Sequence, residues 1–182
     1  RPAAIRYEYP SLRGIRRMTL NAYKVIISKR DTRHYLDRPI PDEALQRILQ
    51  AGRMAGSSKN SQPVRYVVLR DPERKAQLAR CGQYAQHLPS APLAVALVLV
   101  PGGGAFDAGR AAQNMMLAAW AEGITSCPIA MHDQDCARAV LGLPADHTVA
   151  TVLAFGYPDQ RYPLHGGRQR LPLHELVHWE RW

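Results

Sequence analysis

Hydrophobic and polar residues in the first third of the chain repeat with the spacing of amphipathic helices. Apolar residues recur at helical intervals in residues 20–28 and, more regularly, in residues 41–54, where Leu45, Ile48 and Leu49 share one face. Such a stripe packs against a core while the other positions face water. We therefore predict two helices here, and the second is the more strongly specified.

Three apolar, β-rich runs predict strands at residues 66–69, 93–100 and 148–155. The run at 93–100 is the longest continuous apolar stretch, and it ends at a proline and three glycines. A membrane-spanning helix needs about 18 or more consecutive apolar residues. We therefore expect neither a membrane span nor an export signal.

Aspartates in front of two further segments mark the beginnings of helices, because their carboxylates accept hydrogen bonds from free backbone N–H groups. Asp71 and Asp107 precede helices that extend to about residues 79 and 122. A third helix starts near Asp133 and closes at Gly142. Strands and helices mix without a regular strand–helix–strand repeat, which favours an α+β fold over a doubly wound sheet.

The chain length suits one domain. A chain of 182 residues buries roughly two thirds of the surface that its unfolded form exposes. Residues 1–17 carry five arginines against one glutamate and show no helical or strand period. We interpret residues 1–17 as a basic N-terminal arm or leader and residues 18–182 as the folded domain.

The charge balance favours a partner that carries phosphate. The chain has 24 basic and 15 acidic residues, which gives a net charge of +9. Beyond residue 17 the basic residues are scattered, and we find no zinc-finger spacing, helix-turn-helix pattern or RNA-binding aromatic signature. A nucleic-acid-binding module is therefore an alternative that depends mainly on residues 1–17, and a phosphorylated cofactor is the other candidate.

The cysteines and histidines give no clear disulfide or metal signature. Cys81, Cys127 and Cys136 are odd in number and form no C-x-x-C pair, so we expect no disulfide framework, no zinc site and a reducing cytoplasm. Residues 174–178 spell the H-E-x-x-H zinc motif, but only four residues follow them. That remainder is too short for the usual downstream third ligand, and we assign no metal ligand.

The glycines at residues 102–104 lie between a strand and a helix, where a phosphate-binding loop can form. Arg110 and Ala111 stand where such a P-loop requires Lys and Ser or Thr. We interpret these glycines as a flexible turn.

Four polar clusters have the residue types that contact a planar, phosphorylated ligand. Residues 29–33 place three cations beside a helix end, and residues 57–63 offer hydroxyl and amide groups to carbonyls and ring nitrogens. Residues 126–130 could bring backbone groups to a planar ring, and residues 166–170 offer two guanidinium groups to a phosphate. Each cluster alone is also typical of an ordinary solvated loop.

Together, the order and spacing of these clusters resemble the FMN-dependent nitroreductase family over nearly all of residues 18–182. Residues 29–33 (K-R-D-T-R) resemble the family's opening R-R-S-x-R element. Residues 56–63 (G-S-S-K-N-S-Q-P) resemble its P-S-x-x-N-x-Q-P loop. Gln113-Asn114 in the long helix and residues 168–173 (R-Q-R-L-P-L) match later landmarks.

The resemblance implies an α+β sandwich, with a mainly antiparallel central sheet flanked by helices, that forms an intertwined homodimer with FMN at the subunit interface. The phosphate, ribityl chain and pyrimidine edge would be held by Lys29, Arg30, Arg33, Arg168 and Arg170. The flavin of the opposite subunit would be contacted by Ser57, Ser58, Asn60 and Gln62. The flavin face would be lined by Pro128, Ile129 and Ala130.

Two departures from the family pattern affect this assignment. Asp31 lies within the phosphate set where the family often has Ser, so we expect it to pair with Arg30 or Arg33 or to turn away. Gly56 replaces the usual Pro, and Val64 replaces the usual Trp. The shape of the polar loop is therefore not fixed by the resemblance.

The activity that the resemblance implies is electron transfer from NAD(P)H through FMN to a small acceptor, such as a nitroaromatic or a quinone, in a ping-pong scheme. The cofactor performs this chemistry, so no side chain is assigned as a general acid or base. Arg33 is the candidate to stabilise negative charge on the reduced flavin. Flavin fragmentation to a benzimidazole and reductive dehalogenation are alternatives on the same fold.

Overall fold

A four-stranded antiparallel sheet forms the centre of the computed structural model, which describes residues 22–162, 164 and 170–182. The strand order is β1-β2-β4-β3, which confirms the expected α+β class. The elements are helices α1 (Ala22–Ser28), α2 (Asp42–Arg53), α3 (Pro72–Ala79), α4 (Ala105–Ala121), α5 (Gln134–Leu141) and α6 (Leu173–Leu176), and strands β1 (Val64–Leu69), β2 (Leu93–Leu99), β3 (Thr125–Ile129) and β4 (Thr148–Gly156).

Strand β2 is buried along its whole length and separates two helical layers. Successive strand residues point to opposite faces of a sheet. Leu93, Val95 and Leu97 therefore pack with α2 and α4 on one face, while Ala94 and Ala96 pack with α3 and α5 on the other. The large side chains fill the space under the long helix, and the small ones leave room for α3 and α5.

Most predicted elements are confirmed, with shifted ends. Asp71 and Asp133 do cap their helices by accepting from the backbone N–H groups of Glu73 and Cys136. The prediction that Asp107 caps the long helix is wrong, because α4 begins two residues earlier and its cap position holds a glycine. Asp107 lies in the first turn, where its charge still suits the helix dipole.

Strand β3 was not predicted, because Pro128 interrupts its β pattern. The structure accommodates this proline at the edge of the sheet, where β3 pairs with β4 alone among the described strands. Proline lacks a backbone donor and is confined to such edge positions. Residues 126–129 of the segment whose backbone we expect to approach a planar ligand are therefore in a strand.

The expectation that the chain has no disulfide is wrong. Cys81 and Cys136 are bonded to each other across 55 residues of sequence, and Cys127 is a buried free cysteine. A bond between two cysteines that distant in sequence leaves no local spacing signal, and an odd count only means that one thiol stays unpaired.

The C-terminal histidines do not share a helical face, because α6 ends at Leu176 and His178 lies beyond it. In the described part of the chain, no helix has both the length and the apolar character that a membrane span requires. The basic arm predicted at residues 1–17 lies outside the described residues.

Gly156 should be essential for close packing at the end of β4. A Cβ atom at this position would lie 2.6 Å from Cδ1 of Tyr35 and 2.8 Å from Cδ of Pro92. We expect Gly156→Ala to lower the free energy of unfolding by about 1–3 kcal/mol through overpacking, as measured by urea denaturation.

Gly109 provides the matched control, because it lies in α4 and a Cβ there would meet nothing within 4 Å. Gly109→Ala should raise the free energy of unfolding by about 0.5–1 kcal/mol, since alanine is the better helix former. Equal effects of the two substitutions would contradict this packing argument.

Candidate functional site

The basic segment (residues 29–33) lies across the beginning of strand β3. The backbone N–H of Thr32 donates to the carbonyl of Ser126 at 3.3 Å, and Asp31 forms an isolated parallel bridge with Ser126. Farther along, the N–H of Leu36 donates to the carbonyl of Tyr157 at 2.9 Å. These backbone bonds fix the segment against β3 and the end of β4.

Lys29 is the partner of Asp31, and this ion pair corrects the expected pairing with Arg30 or Arg33. The Lys29 side chain is 11% exposed, and its Nζ lies 3.5 Å from Sδ of Met116 on α4. Arg30 instead donates to the carbonyls of Ile27 and Lys29. Asp31 thus offsets one cation of the segment, while the two guanidinium groups keep their charge for a ligand.

The polar loop (residues 57–62) has an unusual backbone. Lys59, Asn60 and Gln62 have φ angles of 51°, 54° and 49°, and a hydrogen bond of 2.9 Å from the N–H of Gln62 to Oγ of Ser57 closes the loop. Left-handed conformations at non-glycine residues carry strain, and such strain is common at functional sites. The side chains of Ser58, Asn60 and Gln62 are exposed, so their polar groups can reach a ligand.

Gly56 precedes the polar loop and lies beside helix α4. A Cβ atom at Gly56 would lie 2.9 Å from Nη2 of Arg110, the mobile end of an exposed side chain. The structure does not explain why Gly56 replaces the family's proline. A cleft of about 80 Å³ opens beside the loop and is lined by Ser57, Gln62 and Asp107, among others.

Helix α4 contacts both clusters, but at different turns. The polar loop meets it at Arg110 and the basic segment meets it at Met116, six residues further on. Six residues correspond to about 9 Å along a helix axis and about 120° around it. Within one chain, the two clusters therefore approach different sides of the helix.

Strand β3 presents two of its predicted ligand residues to the surface. Pro128 and Ala130 are exposed, whereas the Ile129 side chain is buried in the core on the side of α3 and α5. Ile129 can therefore contribute only its backbone to a ligand. The Oγ of Ser126 is buried and has no hydrogen-bond partner among the described residues. Buried polar groups are usually hydrogen-bonded, so this hydroxyl can take a polar partner where β3 meets the basic segment.

Burial keeps three titratable groups around Arg33 in their neutral forms. It raises the pKa of Tyr35 and the pKa of the Cys127 thiol above their ordinary values. It also lowers the pKa of His87, and the charges of Arg33 and His34 lower it further. Since these groups stay uncharged near neutral pH, the cations of the basic segment dominate the local field. No sequence signal pointed to His87.

The fourth predicted cluster is only partly described. Arg168 lies outside the described residues, and Arg170 is exposed. The chain leading to this cluster is fixed by the Asp159 carboxylate, which accepts from Arg161 at 2.6 Å, and by the stacked rings of His34 and Tyr162, whose centroids are 3.9 Å apart. These contacts direct the chain from the end of β4 past the basic segment.

The sequence and the fold both match known proteins. The nitroreductase family model matches residues 26–93 and 102–157. The chain is 32% identical over 181 residues to the NADPH-flavin oxidoreductase of Vibrio harveyi, covering 87% of this chain and 73% of that protein. It is 30% identical over 201 residues to the NADH dehydrogenase of Thermus thermophilus, covering 88% of this chain and 96% of that protein.

Among solved structures, one from Desulfovibrio desulfuricans in complex with FMN resembles this chain with a TM-score of 0.78 and 30% sequence identity. The match covers 88% of this chain and 96% of that one. The similarity therefore covers most of both chains.

The lowered pKa of His87 predicts a loss of stability in mild acid. The unfolded chain takes up a proton on this imidazole near its ordinary pKa of about 6.5, whereas the folded chain does so only at lower pH. The contribution of His87 to the free energy of unfolding is therefore fully present above the pKa of the unfolded state. It is lost as the pH falls from that pKa towards the lower pKa of the folded state.

We expect the free energy of unfolding of the wild type to fall more steeply between pH 7 and pH 5 than that of His87→Gln. The exposed His174→Gln variant is the matched control and should follow the wild type. Urea denaturation at each pH gives the comparison, and parallel curves for wild type and His87→Gln would refute the assignment.

Proposed function

This chain belongs to the nitroreductase family, and we propose that it passes electrons from NAD(P)H through FMN to a small acceptor such as a nitroaromatic or a quinone. It is an NAD(P)H-dependent flavin oxidoreductase with FMN as its cofactor. The observation that carries the proposal is the basic segment, whose arginines are held beside the exposed edge of β3 without a carboxylate partner among the described residues.

The residues present fit the FMN phosphate. A bound FMN needs charge-assisted donors at its phosphate and its pyrimidine edge, and Arg30 and Arg33 supply them from one short segment that backbone hydrogen bonds hold in place. Lys29 supports them by offsetting the charge of Asp31. The neutral state of Cys127 and Tyr35 removes competing negative charge. Arg170, and Arg168 beyond the described residues, complete the proposed phosphate set.

The residues also fit a planar ring with a polar edge. Pro128 and Ala130 have small, exposed side chains that leave space above the edge strand for a flat ring. The hydroxyl and amide groups of Ser57, Ser58, Asn60 and Gln62 can pair with the ring's carbonyls and nitrogens. The buried Oγ of Ser126 offers a further polar contact where β3 meets the basic segment.

Bound FMN supplies the hydride acceptance and electron delivery that side chains cannot perform. Arg33 would stabilise the negative charge that the reduced cofactor carries. The open face beside Pro128 and Ala130 would admit the nicotinamide first and the acceptor after the nicotinamide has left, which is a ping-pong order. No side chain is assigned as a general acid or base, and solvent supplies the protons.

We further propose that two chains form an intertwined homodimer with FMN between them. The C-terminal segment exposes Leu173, Leu176, Trp179 and Trp182, which are 76%, 57%, 82% and 100% exposed. Ile26 and Ile27 on α1 are 55% and 53% exposed. Apolar surface of this extent is typical of a protein interface. In the dimer, the basic segment of one chain and the polar loop of the other would contact the same flavin.

The proposed location remains the cytoplasm, where a disulfide is ordinarily transient or redox-responsive. The nucleic-acid alternative depends on residues 1–17, which lie outside the described residues. We do not favour it.

The proposed function predicts that the purified protein is yellow, or becomes yellow with FMN, and that NADH or NADPH bleaches the flavin absorption under anaerobic conditions. Adding a quinone or a nitroaromatic should restore the absorption. Flavin bands that neither donor bleaches would contradict the proposed electron donor. Loss of the flavin itself after aerobic reduction would instead indicate flavin fragmentation. A protein that binds no FMN would contradict the flavin assignment.

Lys29→Met is predicted to weaken FMN binding. The methionine keeps the packing against Met116 but removes the cation that offsets Asp31, which leaves an unpaired carboxylate beside the proposed phosphate and costs about 1.5–3 kcal/mol of binding free energy. The dissociation constant should therefore rise by about 10-fold to 100-fold, as measured by fluorescence titration of the apoprotein. Lys24→Met on the exposed side of α1 is the matched control and should leave it unchanged. Equal affinities of the two variants would rule out the phosphate assignment.

A further inference from the structure

The Cys81–Cys136 disulfide joins the end of α3 to α5, two helices that also pack in one core cluster and share a hydrogen bond from Arg74 to the carbonyl of Val140. Cys81 follows the end of α3, and Cys136 lies in the first turn of α5. Both helices belong to the layer opposite α4. The bond therefore fastens this layer close to the end of β3, and neither the proposed function nor the family pattern uses it.

The backbone beside Cys81 directly supports the segment after β3. The carbonyl of Cys81 accepts from the N–H of His132 at 3.0 Å and from the N–H of Asp133 at 2.9 Å. A Cβ atom at Gly82 would lie 2.9 Å from the carbonyl oxygen of Ala130. The position of residues 130–133, which we call the border segment, therefore depends on where Cys81 is held.

An open cleft lies beside the disulfide. Cys81 lines this cleft of about 570 Å³, whose other walls include Arg80, His132 and Arg138. Cys81 is 2% exposed, whereas Cys136 is half-buried. Cys136 is the more exposed residue of the pair, and we take its sulfur as the point of attack.

We propose that Cys81 and Cys136 form a reversible thiol–disulfide site, and that the oxidised pair holds the border segment in the position that admits the acceptor. The effect on the acceptor rests on the proposed function, because Ala130 belongs to both the border segment and the proposed flavin face. The chemical partner of the site is a dithiol, either a small molecule or a protein.

The exchange balances in two steps. A thiolate of the dithiol attacks Sγ of Cys136, which forms a mixed disulfide and releases Cys81 as a thiolate that takes up a proton. The second thiol of the dithiol then attacks the mixed disulfide and releases Cys136, whose thiolate lies in the first turn of α5 and is favoured by the helix dipole. Two electrons and two protons pass to the protein, and the dithiol is oxidised to its disulfide.

Reduction removes the covalent tie while leaving the hydrogen bonds to the Cys81 carbonyl. The border segment then keeps its two backbone bonds to Cys81, the bond from the N–H of Gln83 to Nδ1 of His132, and the buried side chain of Met131. Those bonds open with local fluctuations, so the amides of His132 and Asp133 should exchange with solvent faster. The surface that receives the acceptor should be less well ordered.

The test compares the FMN-loaded enzyme before and after treatment with dithiothreitol. Mass analysis after alkylation should show two additional reactive thiols after reduction. Amide exchange of the peptide that contains residues 130–136 should accelerate at least 10-fold, while exchange of β2 stays unchanged. The KM for a quinone such as menadione should rise about 3-fold to 10-fold with FMN still bound.

Two variants sharpen the comparison. Cys136→Ser should show the fast exchange and the raised KM with or without dithiothreitol. Cys127→Ser keeps the disulfide and should retain the full response to dithiothreitol. If Cys136→Ser does not fold, the reduced wild type still provides the measurement.

Unchanged exchange and unchanged KM after complete reduction would overturn the proposal, as would a Cys136→Ser variant that still responds to dithiothreitol. The exchange measurement does not need turnover, so it separates the two hypotheses. Faster exchange in a protein without flavin activity would contradict the proposed function while supporting the redox site. Normal flavin turnover with unchanged amide exchange and unchanged KM would support the proposed function and contradict the redox site.

Discussion

The burial of strand β2 between two helical layers is the constraint on which the rest of the structure depends. Its large side chains face α2 and α4, and its alanines face α3 and α5, so the sheet can be covered on both sides. Because α4 is placed by this packing, it gives a fixed support to Arg110 beside the polar loop and to Met116 beside the basic segment. The packing of the core thus determines where the polar loop and the basic segment, which carry the proposed cofactor contacts, lie.

Few negative charges compete with a ligand at the candidate site. The Cys127 thiol and the Tyr35 phenol are neutral near pH 7, burial raises their pKa values further, and Lys29 offsets the one carboxylate within the basic segment. Arg30 and Arg33 therefore act on a ligand without strong competition. An anionic, phosphate-bearing group is the chemistry that such a surface favours.

The sequence predicts much of this arrangement, because caps and apolar periods are local signals. Asp71 was correctly assigned as a cap, the helix expected to start near Asp133 begins at the next residue, and the strand at residues 93–99 was expected within one residue. Strand β3, the Cys81–Cys136 bond and the Lys29–Asp31 pair were missed or misassigned. A proline at the sheet edge hides the strand pattern of β3. The disulfide joins residues that are distant in sequence, and the Lys29–Asp31 pair depends on how the backbone turns beside β3.

The most direct test of the central claim uses two chains with different defects. One chain carries Lys29→Met in the basic segment, and the other carries Asn60→Ala with Gln62→Ala in the polar loop. The two chains carry different tags, so they can be co-expressed and the mixed dimer isolated. If each flavin takes the basic segment from one chain and the loop from the other, the mixed dimer has one intact site and should bind one FMN with wild-type affinity. If each site lies within one chain, both sites carry a defect, and the absence of any wild-type-affinity site would contradict the account.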